Sequence, residues 1–154
     1  WARVYPELGE DGFISENYPG KEKKMFEKAK IIAQTLNYYG VLTVEFFLNG
    51  DQLYVNEVAP RVHNSGHITL DGANISQFDI HLYSLLGREY PTIEIDRSWC
   101  MVNVLGQHYE RVKNNAIPGK FYDYGKNSTQ HNRKVGHING LLKDLNRLKE
   151  ARIK

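Results

Sequence analysis

The sequence is poor in cysteine and has neither a long apolar run nor a long basic block. Cys100 is the only cysteine among 154 residues, so no internal disulfide can form, and we expect a reducing, cytoplasmic location. No apolar stretch approaches the length of a membrane span, and no signal peptide is recognisable at Trp1. The 20 Lys and Arg nearly balance the 18 Asp and Glu, so the composition indicates neither a nucleic-acid nor a membrane partner.

The patterning predicts an α+β fold in two parts. Apolar residues recur at helical spacing from Lys21 to Tyr39, a pattern typical of a helix that covers a sheet and stops at Gly40. A second helix is expected from the N-cap Ser76, with Asp79 completing the cap and Gly87 as its stop. Its apolar stripe is formed by four residues, Phe78, Leu82, Leu85 and Leu86.

Pro91 follows that stop, and we place a domain boundary between residues 90 and 91. Residues 1–90 are predicted to hold an antiparallel sheet with helices, including short extended pieces at Ala2–Tyr5 and Phe13–Ser15. Residues 91–154 are predicted to form a small β-rich domain with a terminal helix. Its expected elements are strands Ser98–Leu105, Ala116–Tyr124 and Lys134–Ile138 and a helix at Leu141–Arg152.

The most informative stretch is a predicted β-hairpin. Two runs of strand-forming residues, Val41–Leu48 and Gln52–Val58, flank Asn49-Gly50-Asp51, and each run carries one carboxylate, Glu45 and Glu57. A carboxylate among Val, Phe and Leu is costly to bury unless it is paired or binds a cation. Two of them on neighbouring strands therefore indicate a shared cation.

The register of the hairpin decides whether the two carboxylates share a face. If Glu45 lies directly opposite Glu57, three other pairs follow, Thr43 with Ala59, Phe47 with Val55 and Asn49 with Leu53, and the loop is Gly50–Gln52. A two-residue Asn-Gly turn would pair Leu48 with Asp51 and put the carboxylates on opposite faces. We predict the longer loop.

Directly opposed carboxylates, about 4.5–5.5 Å apart at Cβ, repel each other unless a cation neutralises them. Oxygen ligands on a hard ion are typical of Mg²⁺ bound together with phosphates. The alternative is that both glutamates are solvated on an exposed sheet face or paired with lysines.

The loop after the hairpin is rich in ligand-binding side chains. Residues 59–67 include the guanidinium of Arg61, the imidazoles of His63 and His67, the amide of Asn64 and the hydroxyl of Ser65. Such groups suit an anionic or polar ligand, although an ordinary hydrogen-bonded turn is the alternative. A zinc site is disfavoured because Ser65 and Gly66 oppose a helix and no third ligand is evident. Residues 69–74 look irregular.

A second group of candidate ligand residues lies near the C-terminus. Lys126, Arg133 and Lys134 flank glycines in Tyr124-Gly125-Lys126 and in residues 133–137, on predicted turns. Three cations in that setting could bind a phosphate monoester, or they could be solvent-facing turn residues.

The stretch VEFFLNGDQLYVNEVAPRVHNSGH, followed by SQFDIHL from Ser76, resembles the ATP-grasp carboxyaminoimidazole ribonucleotide synthase family of purine biosynthesis. The resemblance implies the C-terminal part of an ATP-grasp fold that binds ATP. It implies that Mg²⁺, or Mn²⁺ in its place, is held by Glu45 and Glu57, and that Asn56 and Glu57 contact ATP. Aminoimidazole ribonucleotide would be bound by residues of the loop and of the C-terminal domain, Arg61, His63, Asn64, Ser65, Lys126, Arg133 and Lys134, with Arg61 and His63 at the reacting centre.

Two comparisons with related families refine this resemblance. The formate-dependent glycinamide ribonucleotide transformylase reads Ser-Glu-Val-Ser-Pro-Arg-Pro-His-Asp-Thr-Gly here. Five residues match the synthase family instead: Asn56, Ala59, Asn64, Ser65 and His67. Many ATP-grasp enzymes place a metal-binding Asn where this chain has Ala59, so the ligands of a second metal ion stay open.

The implied reaction is ATP-dependent carboxylation of aminoimidazole ribonucleotide by bicarbonate through carboxyphosphate. A Gly-rich phosphate loop, a lysine pair for ATP and a preceding nucleotide-binding-like domain, which full family members carry, are not found in this sequence. We therefore expect the C-terminal half of the enzyme, inactive without its N-terminal half and a homodimer when full length. The alternatives are a transformylase-like enzyme and a non-catalytic domain that binds a nucleotide or a partner.

Overall fold

The computed structural model describes residues 2–5 and 22–153. These parts of the chain form two compact units that divide between Glu94 and Ile95, called here the N-terminal and C-terminal units. The domain boundary at 90/91 inferred from the sequence stays a prediction, and the predicted extended piece Phe13–Ser15 lies outside the described residues. Within them, no helix has the length and apolar character needed to cross a bilayer.

The N-terminal unit is a mixed sheet with helices. Its strands are β1 (Ala2–Tyr5), β2 (Thr43–Asn49) and β3 (Gln52–Ala59), and its helices are α1 (Glu22–Thr35), α2 (Thr69–Gly72) and α3 (Gln77–Leu85). The strand order is β1-β2-β3, with β1 parallel and β3 antiparallel to β2. This arrangement places the predicted hairpin, β2 and β3, at one side of the sheet.

Helix α1 covers one face of the hairpin, as predicted. Buried Met25 packs with Val44, Phe46 and Leu53, and four half-buried residues surround them, Ala29, Ile32, Leu42 and Leu48. Because side chains alternate along a strand, Thr43 and Glu45 lie on the opposite face of β2. The core therefore occupies one face of the hairpin, and the face that carries Thr43 and Glu45 does not pack against α1.

The end of α1 differs from the prediction, which placed the stop at Gly40. Asn37 adopts a left-handed conformation with φ of 47° and donates its N–H to the carbonyl of Gln34, while the N–H of Tyr38 bonds to Ala33. This is the pairing of a Schellman motif, in which Asn substitutes for the usual Gly. The helix therefore ends at Thr35.

The hairpin confirms the opposition of Glu45 and Glu57 but not the predicted loop. Asn49 pairs with Gln52, so the turn is Gly50-Asp51, and the predicted pairs of Phe47 with Val55 and Asn49 with Leu53 are wrong. Phe46 pairs with Val55 instead, and a β-bulge leaves Asn56 as the extra residue before Glu57. The bulge adds one residue to β3, so that Glu57 lies opposite Glu45, whereas the two-residue turn alone would have placed Asn56 there.

The segment after the hairpin is more helical than predicted. Residues Asn64–Ile68 form a 3₁₀ helix that leads directly into α2, although Ser65 and Gly66 were expected to oppose a helix and residues 69–74 to be irregular. A single 3₁₀ turn needs few residues of high helix propensity, because local and tertiary hydrogen bonds hold it. The outcome is a compact connection between β3 and α3.

Helix α3 begins and ends as predicted. Ser76 and Asp79 form a capping box, and Gly87, with φ of 61°, follows the last turn. Its apolar stripe is exposed rather than buried, with Leu82, Leu85 and Leu86 each more than half exposed. Periodicity alone identifies such a stripe but does not say whether a neighbour covers it.

The C-terminal unit is an antiparallel sheet with two helices. Its strands are β4 (Trp99–Leu105), β5 (Lys120–Asp123) and β6 (Lys134–Leu141), in the order β4-β6-β5, and its helices are α4 (Tyr109–Asn114) and α5 (Leu145–Ile153). All three predicted strands are present, although β5 is shorter and β6 longer than expected. Helix α4 was not predicted, and the terminal helix begins after a 3₁₀ turn at Leu142–Asp144.

One face of the C-terminal sheet forms an apolar core, and the other face is polar. The core consists of Cys100, Val102, Val104, Val112, Val135, Ile138 and Leu148. Cys100 is a buried free thiol, as expected, and burial raises the pKa of that thiol. On the other face, Asn103, His137 and Tyr122 lie opposite one another across β4, β6 and β5.

Candidate functional site

The two hairpin glutamates share the sheet face that α1 does not cover. Without the bulge, the Gly50-Asp51 turn would place Asn56 opposite Glu45 and turn Glu57 toward α1. With the bulge, Glu57 lies directly opposite Glu45. The Glu45 side chain is almost completely buried, at 2% exposure, whereas the Glu57 side chain is half exposed.

His63 contacts both carboxylates. Its Nδ1 lies 3.7 Å from Oε1 of Glu45, and its Nε2 lies 3.9 Å from Oε1 of Glu57. These separations are longer than direct hydrogen bonds, and they become ion pairs only when the imidazole is protonated. The loop after β3 therefore folds back so that one imidazole faces the pair of acidic side chains.

Ser65 orients that imidazole. Its hydroxyl lies 2.9 Å from Nδ1 of His63, and its backbone N–H donates to the same nitrogen at 3.4 Å. The hydroxyl of Ser65 has this intramolecular partner and the residue is buried, and its predicted role in ligand binding stays a prediction. Asn64, which begins the 3₁₀ helix beside it, is half buried.

Arg61 is the most accessible of the predicted loop residues. One guanidinium nitrogen lies 4.0 Å from Oε1 of Glu57, another donates to the carbonyl of Val62 at 3.0 Å, and the side chain is 61% exposed. An exposed ion pair of this kind is weak, so the guanidinium can turn to a stronger anionic partner at little cost. Asn56, the bulge residue, is also exposed.

The donor set fits a hard cation bound together with ligand oxygens. Among residues 2–5 and 22–153, no group of three or more His, Cys, Asp or Glu is arranged to hold a metal ion by itself. Mg²⁺ commonly takes only one or two carboxylates and completes its shell with phosphate and water. Glu45 and Glu57 meet that requirement because their carboxylates lie on one face of the hairpin.

His67 is separate from the acidic pair. It stacks on Phe78, with ring centroids 5.5 Å apart, and its Nδ1 lies 2.9 Å from the side-chain nitrogen of Gln77. Burial, with a smaller contribution from His63, lowers the pKa of His67 below its ordinary value. The sequence analysis did not identify Gln77, because no local pattern marks a glutamine at the start of a helix as the partner of a loop that lies earlier in the chain.

In the C-terminal unit, the three predicted cations lie at the two ends of the connection between β5 and β6. Lys126 follows the turn at Gly125, which has φ of 60°. Arg133 directly precedes β6, and Lys134 is the first residue of that strand. All three side chains are exposed. Arg133 donates to the hydroxyl of Ser128 at 2.7 Å, and this bond orders part of the connection.

The turn before Lys126 is anchored to a buried histidine. The hydroxyl of Tyr124 lies 2.9 Å from Nδ1 of His137, and the His137 ring stacks on Tyr122 with centroids 4.7 Å apart. The backbone N–H of Tyr124 also bonds to the carbonyl of Val135. Burial raises the pKa of Tyr124 to about 12.

Comparison with known proteins identifies two domain families along the chain. The ATP-grasp domain family matches residues 14–78, and the phosphoribosylaminoimidazole carboxylase C-terminal domain family matches residues 100–151. The N5-carboxyaminoimidazole ribonucleotide synthase of Saccharolobus solfataricus is 38% identical over 143 residues, which are 92% of this chain and 39% of that protein. This chain carries the ATP-grasp and C-terminal domains of the N5-carboxyaminoimidazole ribonucleotide synthase family, over part of the full enzyme.

Solved structures of the synthase family share the fold. The Staphylococcus aureus synthetase superposes with a TM-score of 0.77 at 34% identity, over 87% of this chain and 38% of that one. The Aspergillus clavatus synthase, solved in complex with ADP and 5-aminoimidazole ribonucleotide, gives a TM-score of 0.73 at 29% identity, over 88% of this chain and 39% of that one. The chain thus spans less than half the length of these relatives.

Proposed function

We propose that this chain supplies the metal-binding and ribonucleotide-binding part of an enzyme that carboxylates aminoimidazole ribonucleotide with ATP and bicarbonate. The observation that carries the proposal is the meeting of Glu45, Glu57, Arg61 and His63 on the hairpin face that α1 does not cover. The family membership supports the reaction class. The Aspergillus relative solved with ADP and the ribonucleotide supports the substrates.

The acidic pair is proposed to hold Mg²⁺, or Mn²⁺ in its place. A divalent ion there would neutralise the charge that develops on the transferring phosphoryl group of ATP. Glu45, buried and set rigidly in the sheet, fixes the position of the site, while half-exposed Glu57 is reachable from solvent. Asn56 precedes Glu57 on the bulge, and its exposed side chain is proposed to contact ATP.

The loop is proposed to bind the ribonucleotide and the carboxylating species. Arg61 suits the anionic carboxyphosphate because its guanidinium is exposed and only weakly paired. His63, oriented by Ser65, lies next to both carboxylates and is proposed to act with Arg61 at the reacting centre. Asn64, beside them in the 3₁₀ helix, is proposed to contact the ribonucleotide.

The basic residues of the C-terminal unit are proposed to bind the ribonucleotide phosphate. Lys126, Arg133 and Lys134 are exposed, and they flank the ordered connection between β5 and β6. A phosphate held away from the reacting amine supplies binding energy that can be used to orient that amine.

Calorimetry on this chain tests the proposal. Aminoimidazole ribonucleotide with Mg-ATP should bind weakly, and Arg61→Ala and Lys134→Ala should each weaken binding by about tenfold, the usual scale for a charged hydrogen bond. Arg88→Ala and Lys143→Ala, which remove exposed cations elsewhere, serve as matched controls. A binding signal that neither Arg61→Ala nor Lys134→Ala changes would favour a non-catalytic nucleotide- or partner-binding domain.

The chain alone is proposed to be inactive, since it spans 39% of the Saccharolobus relative. ATP hydrolysis by this chain that depends on aminoimidazole ribonucleotide would contradict this. The remaining expectations, an N-terminal partner half, a homodimer and a cytoplasmic location, stay predictions. The transformylase alternative is tested in a full-length protein by exchanging aminoimidazole ribonucleotide for glycinamide ribonucleotide.

A further inference from the structure

Gln77 makes two hydrogen bonds to the backbone of one residue. It is the first residue of α3 and is 4% exposed. Its Oε1 accepts the N–H of His63 at 2.9 Å, and its Nε2 donates to the carbonyl of His63 at 2.9 Å. A flipped amide would place donor against donor and acceptor against acceptor, so the His63 backbone fixes the orientation of the side chain.

The fixed amide also determines the tautomer of His67. The nitrogen of Gln77 that bonds to the His63 carbonyl lies 2.9 Å from Nδ1 of His67. An amide nitrogen only donates, so Nδ1 of His67 must accept, and the ring carries its proton on Nε2. The stack on Phe78 holds the plane of the same ring.

Two further contacts tie the loop to the start of α3. The backbone N–H of Gln77 donates to the hydroxyl of Thr69 at 2.8 Å, and that hydroxyl donates to the carbonyl of Gly66 at 2.6 Å. A Cβ at Gly66 would overlap the Gln77 carboxamide, so the close approach requires glycine at this position. The 3₁₀ helix is therefore packed directly against the glutamine side chain.

We infer that Gln77 is a positioning residue for the loop after the hairpin, residues 59–67. Through the His63 backbone it sets the imidazole that faces Glu45 and Glu57, and it holds His67 as an Nε2–H donor. The inference rests on the proposed function, because the loop it holds is the one proposed to bind the ribonucleotide. Gln77 acts through His63 and His67 and is not itself proposed to touch the substrate.

The test combines a spectroscopic, a hydrogen-exchange and a binding measurement on this chain. Nitrogen-15 NMR of the unmodified chain should show His67 protonated on Nε2, and an Nδ1–H tautomer there would overturn the inference. In Gln77→Glu the carboxylate can only accept, so His67 should move to the Nδ1–H form. Gln34→Glu makes the same chemical change on the exposed side of α1 and should leave the tautomer unaltered.

Gly66→Ala displaces the Gln77 carboxamide without changing its chemistry. Hydrogen exchange of the His63 amide should become about tenfold faster in this variant, the scale of one lost hydrogen bond. An unchanged exchange rate would count against the inference. This measurement does not depend on the fold tolerating a charge at position 77.

Ribonucleotide binding separates the inference from the proposed function. Gln77→Glu should weaken aminoimidazole ribonucleotide binding by about tenfold, and Gln34→Glu should not. If Arg61→Ala weakens binding as expected while Gln77→Glu leaves it unchanged, the positioning role is wrong and the proposed function stands. If the unmodified chain binds no ribonucleotide but shows the expected tautomer and exchange, the proposed function is wrong and the positioning role of Gln77 in the loop stands.

Discussion

Nδ1 of His63 lies 3.7 Å from Oε1 of Glu45, although the two residues belong to different segments of the N-terminal unit. The contact exists because the chain reverses after β3 and enters a 3₁₀ helix that packs on the start of α3. Since Glu57 lies opposite Glu45 and near the other ring nitrogen, three functional groups meet at one point. The geometry leads to predictions about metal binding and about the parts of the fold that support it.

The first prediction concerns the acidic pair. Glu45→Gln and Glu57→Gln should each weaken Mn²⁺ binding by about tenfold or more, because one anionic oxygen ligand is lost. The effect can be measured as paramagnetic broadening of the His63 ring signals during a Mn²⁺ titration. Glu89→Gln, at an exposed position outside the site, is the control, and equal affinities in all three variants would contradict a metal site on the hairpin.

The second prediction concerns the packing that holds the hairpin. Phe46 is fully buried between α1 and the sheet, so Phe46→Ala should lower the free energy of unfolding by about 3–5 kcal/mol. Phe26 lies on α1 with 64% of its surface exposed, and Phe26→Ala should change stability far less. Urea denaturation followed by circular dichroism compares the two. Similar losses would mean that α1 does not cover this face.

The third prediction compares the contributions of two serines, Ser76 and Ser84, to the stability of α3. Ser76 caps α3, accepting the N–H of Asp79 and donating to its carboxylate at 2.6 Å, so Ser76→Ala should cost about 1 kcal/mol. Ser84 donates to the carbonyl of Ile80 within the helix, a bond that contributes little, so Ser84→Ala should be close to neutral. Thermal denaturation distinguishes them, and a reversed order would refute the capping role.

The fourth prediction follows from the buried tyrosine of the C-terminal unit. Burial raises the pKa of Tyr124 to about 12, above its ordinary value of 10.0. Between these values the folded state keeps a proton that the unfolded state has lost, so the unfolding free energy should fall as pH rises from about 10 to 12. The stabilisation is fully present below pH 10.

Tyr124→Phe should flatten that part of the stability curve because the titrating group is absent. Tyr90→Phe, at an exposed position, should leave the curve unaltered. Stability measured by urea denaturation at several pH values provides the comparison. An identical slope in the wild-type chain and in Tyr124→Phe would show that another group causes the loss.

The sequence was sufficient where the controlling interactions are local. The capping box at Ser76 and Asp79 was predictable because both partners lie within one helical turn. That α1 covers one face of the hairpin followed from its helical periodicity beside a strand, and the structure buries Val44 and Phe46 under it. The end of α1 was missed because Gly40 looked like the stronger stop, whereas Asn37 already satisfied the last carbonyls.

The hairpin shows a prediction that was right for an incomplete reason. The cost of burying two carboxylates pointed to the opposition of Glu45 and Glu57, and the structure confirms it. The predicted loop Gly50–Gln52, which would give this register, is absent, and the bulge at Asn56 gives the register instead. A turn and a bulge can shift the register by the same one residue, so the pattern of side chains does not distinguish them.

The sequence by itself determined the residue types of the site, the helices and strands that carry them and the family to which these domains belong, because such signals lie in adjacent or periodically spaced residues. Only the tertiary structure decided that His63 faces both glutamates, that Gln77 holds the loop and that the α3 stripe is exposed. Those outcomes depend on hydrogen bonds and packing between residues far apart in the chain, and on whether a neighbour covers a given face, which spacing along a sequence does not encode.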